Sequence, residues 1–138
     1  MASSIFTASV RAFLTDRPRY ATIATLNPDG SPHQSIVWYL VRGDDLVINS
    51  RVGRRWPANL RRDPRVGFAV EEGEDAVSID GSAAVVAVGD EAQADIAEMA
   101  WRYDEPELAR REIARFQTEE RVSFLVRPAR VHVHGDPR

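Results

Sequence analysis

"YATIATLNPDGSPHQSIVWYLVRGDDLVINS", residues 20–50, is the stretch on which the architecture turns. Three runs rich in Ile, Val, Leu and aromatic residues, 20–26, 33–41 and 46–50, are separated only by "NPDGSP" and "RGDD". β-Branched and aromatic side chains pack well on a pleated surface, and Pro28, Asp29 and Gly30 form a turn signature. Parallel strands need a crossover of roughly a dozen residues or more, so links this short make an antiparallel meander. Successive strand side chains alternate between faces. In the second run that sets Ser35, Val37 and Tyr39 on one side, and Gln34, Ile36, Trp38 and Leu40 on the other. One face is core and the other is open to a planar ligand. Trp38 reads as a core residue, the commoner fate, or as a stacking platform.

Outward from this stretch the pattern stays mainly β. Ser4 can cap an N-terminal helix with Ile5, Phe6, Val10, Phe13 and Leu14 on one face, closed by Pro18. Pro57 starts a helix over "PANLRRD" (57–63), and "RVGFAV" (65–70) is a strand. "AVSIDGSAAVVAV" (76–88) is a long strand bent at Gly81. From the cap Asp90 to Phe116 the period is helical, broken near "YDEPE", where Pro106 begins a second helix. "RVSFLVRPARVHVH" (121–134) supplies one or two last strands interrupted by Pro128. Six or seven strands and three or four helices result, with no repeat or linker, so 1–138 is read as one domain. Short antiparallel strands in one domain imply a barrel, because closure removes exposed edges.

The composition narrows the function. The apolar runs are far shorter than the ~20 residues of a membrane span. The N-terminus mixes arginine and aspartate, so it reads as a helix and not as a signal peptide, and a cytoplasmic location is expected. There is no cysteine, which excludes disulfides, thiolate metal sites and cysteine nucleophiles. A net charge of −3 argues against general nucleic-acid binding. His132 and His134 share a strand face, yet no third ligand stands at a diagnostic spacing, so no metal site is expected. No nucleophile-elbow, phosphate-loop or zincin motif occurs. No catalytic side chain is assigned, and any chemistry rests on a borrowed cofactor.

Where that cofactor could sit is marked by charge. "NSRVGRRWPANLRRDPRV" (49–66) carries Arg51, Arg54, Arg55, Arg61, Arg62 and Arg65 against one acid, Asp63. All eighteen basic residues of the chain are arginine. A GC-rich genome accounts for the choice of arginine, but not for six within fifteen residues. The cluster lies where a strand hands over to a helix, and free backbone N–H groups and the helix dipole both favour an anion there. Arg54 and Arg55 precede that helix and can fork onto phosphate or carboxylate oxygens, and Arg51 can point the same way. The alternative is a solvated surface helix. Asn49 and Ser50, beside the loop, suit a cofactor's polyol or ring edge.

The blocks "ATL-x-PDG-x-P-x-x-x-x-V-W" and "GRR-x-x-x-NL-x-RDPRV", in this order, resemble the pyridoxamine 5′-phosphate oxidase-like superfamily of split-barrel flavoproteins. Within it, the chain is most similar to the actinobacterial branch that uses the deazaflavin coenzyme F-420. The resemblance covers about residues 5–134. It implies a six-stranded antiparallel split β-barrel of the FMN-binding type with peripheral helices, forming a homodimer with cofactor sites at the interface. It implies that Ser35, Ile36, Val37 and Trp38, with Asn49 and Ser50, line the ring and its side chain. Arg51, Arg54, Arg55 and Asn59 would hold the phosphate, and Ser78 would border the site from another strand. The partner subunit would add residues from the segment near Trp101 and Tyr103. One departure is Trp56, which stands where relatives commonly carry a lysine; it is left to close over the ring or to pack at the dimer interface. The implied activity is hydride transfer from reduced F-420 to an unsaturated or conjugated small molecule. Tyr39 is either the proton source or core. The alternatives are an FMN-dependent oxidase or reductase, and a non-catalytic binder of flavin, deazaflavin or tetrapyrrole.

Overall fold

Asp29 and Gly30 turn the chain as their chemistry predicts. Gly30 takes a left-handed φ of 88°, and Asp29 Oδ1 accepts the Ser31 N–H at 2.9 Å. The computed structural model describes residues 4–137. This turn joins β1 (Ala21–Leu26) to β2 (Pro32–Val37), paired from Ala21↔Val37 to Leu26↔Pro32. There follow β3 (Leu40–Arg42), β4 (Asp45–Arg51), β5 (Arg65–Glu72), β6 (Asp75–Val88) and β7 (Arg121–His134). The helices are α1 (Ala8–Thr15), α2 (Arg55–Arg62), α3 (Gly89–Tyr103) and α4 (Pro106–Phe116).

The strands form one antiparallel sheet in the order β2-β1-β5-β6-β7-β4-β3. This corrects the expectation of a six-stranded closed barrel: there are seven strands, and the ladder is open. The reason lies at Trp38 and Tyr39, which interrupt the run read as one strand. Tyr39 is buried in the core, donates its hydroxyl to Leu14 O at 2.7 Å and meets Phe68 edge-on. Trp38 faces the other way and stacks on Tyr103, with 5.0 Å between ring centroids. The Tyr39 N–H is taken by the Tyr103 hydroxyl instead of a neighbouring strand. Strands β2 and β3, adjacent in the chain, therefore lie at opposite edges of the sheet. Val37 and Leu40 are three residues apart, a reach of about 11 Å, so the sheet must roll until its edges face each other.

Two apolar layers result. The barrel interior holds Ile23, Val37, Tyr39, Leu46, Ile48, Phe68, Ile79 and Phe124, with Phe13 and Leu14 of α1 and Leu60 of α2 closing it. Outside β4, the helices α3 and α4 bury Ile96, Met99, Ala109 and Phe116 against Leu40 and Val47. The alternation read from sequence thus holds across the break, with Val37 and Tyr39 inward and Trp38 and Leu40 on the helix side. Helix α1 is capped by Thr7, whose hydroxyl accepts the Val10 N–H, and not by Ser4 as the sequence predicts. Ser4 instead bonds Asp44. Helix α3 has Val88 as its N-cap, so Asp90 falls in the first turn. Strand β7 is continuous through Pro128 because a register shift lies there and β4 pairs only with residues 121–126.

Strand β6 bends at Gly81, where its register against β7 shifts; residues 75–82 pair with β5, and β7 pairs along the strand from Ala76 to Val88. A Cβ at Gly81 would run into the Arg127 carbonyl, standing 3.0 Å from that carbon and 3.2 Å from Pro128 Cα. Gly81→Ala is expected to lower unfolding stability by about 1–3 kcal/mol, the usual cost of forced backbone shifts. Urea denaturation measures it, and an unchanged midpoint refutes this account of the bend.

Candidate functional site

The open seam of the rolled sheet is also its cleft. Strand β2 pairs only with β1, and β4 meets β3 only through residues 45–47, so the backbone edge of residues 48–51 is unpaired on that side. Between these edges lies a cleft with about 220 Å³ of free volume. Ile36, Val37 and Trp38 line one wall, Asn49 and Ser50 another, and Arg54 and Trp56 a third. Ile96 of α3, Glu112, Arg115 and Phe116 of α4, and Arg121 of β7 complete it. Phe116 meets Trp38 edge-on at 6.4 Å, so the apolar part of the lining is a rigid aromatic corner.

Seven of the twelve residues proposed from sequence converge here: Ile36, Val37, Trp38, Asn49, Ser50, Arg54 and Trp56. Their roles differ from a simple ring of ligand contacts. Asn49 is buried and its amide is spent within the protein. Its Nδ2 donates to Ala92 O at 3.0 Å and Ser123 Oγ at 2.9 Å, while Oδ1 accepts from Arg121 Nε at 3.0 Å. Trp56 packs in the barrel core, 5.6 Å from the Phe124 ring, with only an edge on the cleft floor. Tyr103, expected from a partner subunit, stacks on Trp38 of its own chain. Trp101 is exposed, with Arg110 over its ring.

The other five do not line the cleft. Ser35 is half-buried beside His33, and Ser78 is exposed on β6 opposite His132 and Ala69. Arg51 borders the rear of the site, 4.0 Å from Glu119. Arg55 opens on a separate groove beside Asn27, Pro28 and Asp29. Asn59 is a buried clamp: Nδ2 reaches Thr25 Oγ1 at 3.0 Å and Asn27 Oδ1 at 3.2 Å, and Oδ1 accepts from Arg62. It ties α2 to the β1–β2 turn. Tyr39 serves as core, with its hydroxyl donated to Leu14 O and away from the cleft lining, and burial pushes its phenol pKa up.

Sequence reading missed the other half of the cleft, which comes from α4 and the start of β7. Arg121 pairs with Arg51 across the strands and is 8% exposed. Its Nη1 donates to Glu119 Oε1 at 2.9 Å, and its guanidinium lies 4.6 Å from the Phe116 ring centroid. Burial pulls its pKa down, Glu119 opposes this, and the like charges of Arg54 and Arg115 add to the depression. Arg115 in turn pairs with Glu112 and, at 3.5 Å, with Glu119. Arg51, Arg54, Arg115 and Arg121 thus face two carboxylates, leaving the site with a net charge of +2. Arg54 is the N-cap of α2 and has no acidic partner among the described residues. Such an arrangement attracts a dianion.

The match to known proteins now decides the lineage. The pyridoxamine 5′-phosphate oxidase family model matches residues 6–135. The chain belongs to this family. A conserved hypothetical protein of Mycobacterium tuberculosis shares the fold at a TM-score of 0.76 and 28% identity, covering 100% of this chain and 89% of its own. A structure named as an F-420 reductase matches at a TM-score of 0.68 and 23% identity, covering 88% of this chain and 94% of its own. The heme storage protein HutZ from Vibrio cholerae matches at 0.71 and 20%, covering 92% and 93%. No curated protein matches significantly. Among the described residues, no helix is long and apolar enough to cross a membrane.

The buried clamp and the free arginine make opposite forecasts. Asn59→Ala strands three polar partners and should cost about 2 kcal/mol. Arg54→Ala removes an exposed, unpaired group and should stay within about 0.5 kcal/mol. Chemical denaturation of both variants measures this, and equal losses would place Arg54 among the structural residues.

Proposed function

We propose that the chain is a dimeric oxidoreductase that holds reduced coenzyme F-420 in the seam cleft and serves an unsaturated or conjugated small-molecule acceptor. The observation that carries this reading is Arg54, exposed and without an acidic partner among the described residues, on the wall of a cleft of net charge +2. F-420 bears a phosphodiester and a tail of carboxylates, so it presents several anions to a cleft of net positive charge, where FMN presents one terminal phosphate.

The residues fit such a cofactor in three ways. Backbone groups along the outer edge of β2 and residues 48–50 of β4, which meet no neighbouring strand there, can take the polar rim of a heterocycle. Trp38 and Phe116 give it an apolar wall, and the arginines take its acidic end. When bound, the deazaflavin supplies the hydride. The protein's own part is to bind, orient and exclude water. One chain does this incompletely, because about 220 Å³ falls below the ~300 Å³ from which ligand pockets ordinarily start. Ile36, on the rim, is 66% exposed. A second copy over this rim would close the site, which is why a homodimer belongs to the proposal.

Fluorescence titration of the purified protein with F-420 and with FMN tests the cofactor. Tighter binding of F-420 is expected, weakened about 3–5-fold by Arg54→Ala and in part by added salt. Micromolar binding of FMN alone would replace this reading with a flavin enzyme. Light scattering should give twice the monomer mass, and a monomer with undiminished affinity would remove the second copy from the site.

A further inference from the structure

We infer that Arg121, at the start of β7 and outside the arginine-rich loop, fixes the position of the cofactor's phosphate, with Asn49, Glu119 and Phe116 holding its guanidinium in place. This rests on the reading that the cleft takes a phosphate-bearing ring, and it changes which residue does the selecting. Among the cleft arginines, Arg54 is exposed and Arg115 has more than half of its side chain accessible. Arg121 alone is more than nine-tenths buried.

Three contacts define its plane. Nε donates to Asn49 Oδ1 at 3.0 Å, Nη1 donates to Glu119 Oε1 at 2.9 Å, and the Phe116 ring lies 4.6 Å from the guanidinium carbon. Asn49 is itself immobilised by Ala92 O and Ser123 Oγ, so the carbonyl that receives Nε cannot swing away. Nη2 donates to nothing among the described residues, although Arg121 lines the cleft. With Nε and Nη1 pinned, Nη2 is held in a fixed place to donate to an anion, and the side chain's rotamer entropy is already spent before binding. Burial weighs most against its charge, and Arg54 and Arg115 are near enough to add to that, so an incoming phosphate is favoured beside it. Exposed Arg54 then adds attraction at the mouth, whereas Arg121 sets the distance between phosphate and ring.

The test compares rings with and without phosphate: FMN against riboflavin, and F-420 against its phosphate-free deazaflavin alcohol. For Arg121→Gln, affinity for the phosphate-bearing member of each pair should fall about 10–100-fold, while the phosphate-free member changes less than about 2-fold. Arg121→Lys should fall between, because the charge is kept and the fork is lost. Equal weakening of both members, or no weakening of either, overturns the assignment and reduces Arg121 to a packing residue. If Arg121→Gln does not fold, Arg121→Lys with a native melting profile decides by the same comparison. A wild-type protein that binds no ring overturns the proposed function, and this assignment with it; ring binding with an unchanged phosphate preference in the variants overturns the assignment alone.

Discussion

Two residues, Trp38 and Tyr39, join the opposite edges of a seven-stranded sheet, and most of the molecule follows from that short tether. Because the tether is short, the sheet rolls. Because its two side chains are pulled into different apolar layers, the edges it joins cannot form hydrogen bonds to each other there. The result is a seam with free backbone groups inside an otherwise paired sheet. Unpaired edges are usually a hazard that proteins blunt with charge or cover. Here the seam is flanked by arginines and roofed by α3 and α4, which turns an edge problem into a binding cleft.

Electrostatics within the cleft is divided by depth. The outer arginines are solvated, and each contributes little by itself. The inner one is desolvated, and its charge is stabilised by hydrogen bonds to Glu119 and Asn49 and by Phe116 against its face. Buried charges are expensive unless hydrogen-bonded, and two of its three nitrogens are held in this way, with Nη2 left over at the cleft. The same logic applies to Arg19 at the other end of the barrel. It is buried against Phe13 and bonded to Asp16 and Glu72, yet faces no cleft. The same side chain serves the fold in one place and the site in the other, and only the free donor beside a cleft separates the two.

Much of the fold was legible because strands and turns are written locally. The Pro-Asp-Gly turn, the alternation around Val37 and Tyr39, the bend at Gly81 and the helix start at Pro106 all follow from short-range chemistry. The break after Val37 was not legible, since "IVWYLV" is good strand sequence throughout and only the opposite pull of the two layers interrupts it. The site was half legible. Arg54 stood out through charge density, while Arg121 was hidden in an ordinary strand start, meaningful only once β7 lay beside β4. Asn59 shows the converse: its place in a family motif marked a phosphate contact, and the structure gives its amide to Thr25, Asn27 and Arg62.

The strand order also bears on how the chain folds. Strands β2 and β3 are sequence neighbours, yet five other strands lie between them in the sheet. The sheet cannot zip up in chain order, and β4 must wait for β7, some seventy residues later, before its residues 48–51 have any partner. Such high contact order slows assembly, because loop closure is costly before the distant contacts reward it. It also makes assembly cooperative: the cleft has no precursor in a partly built sheet and comes into being only with the last strand in place.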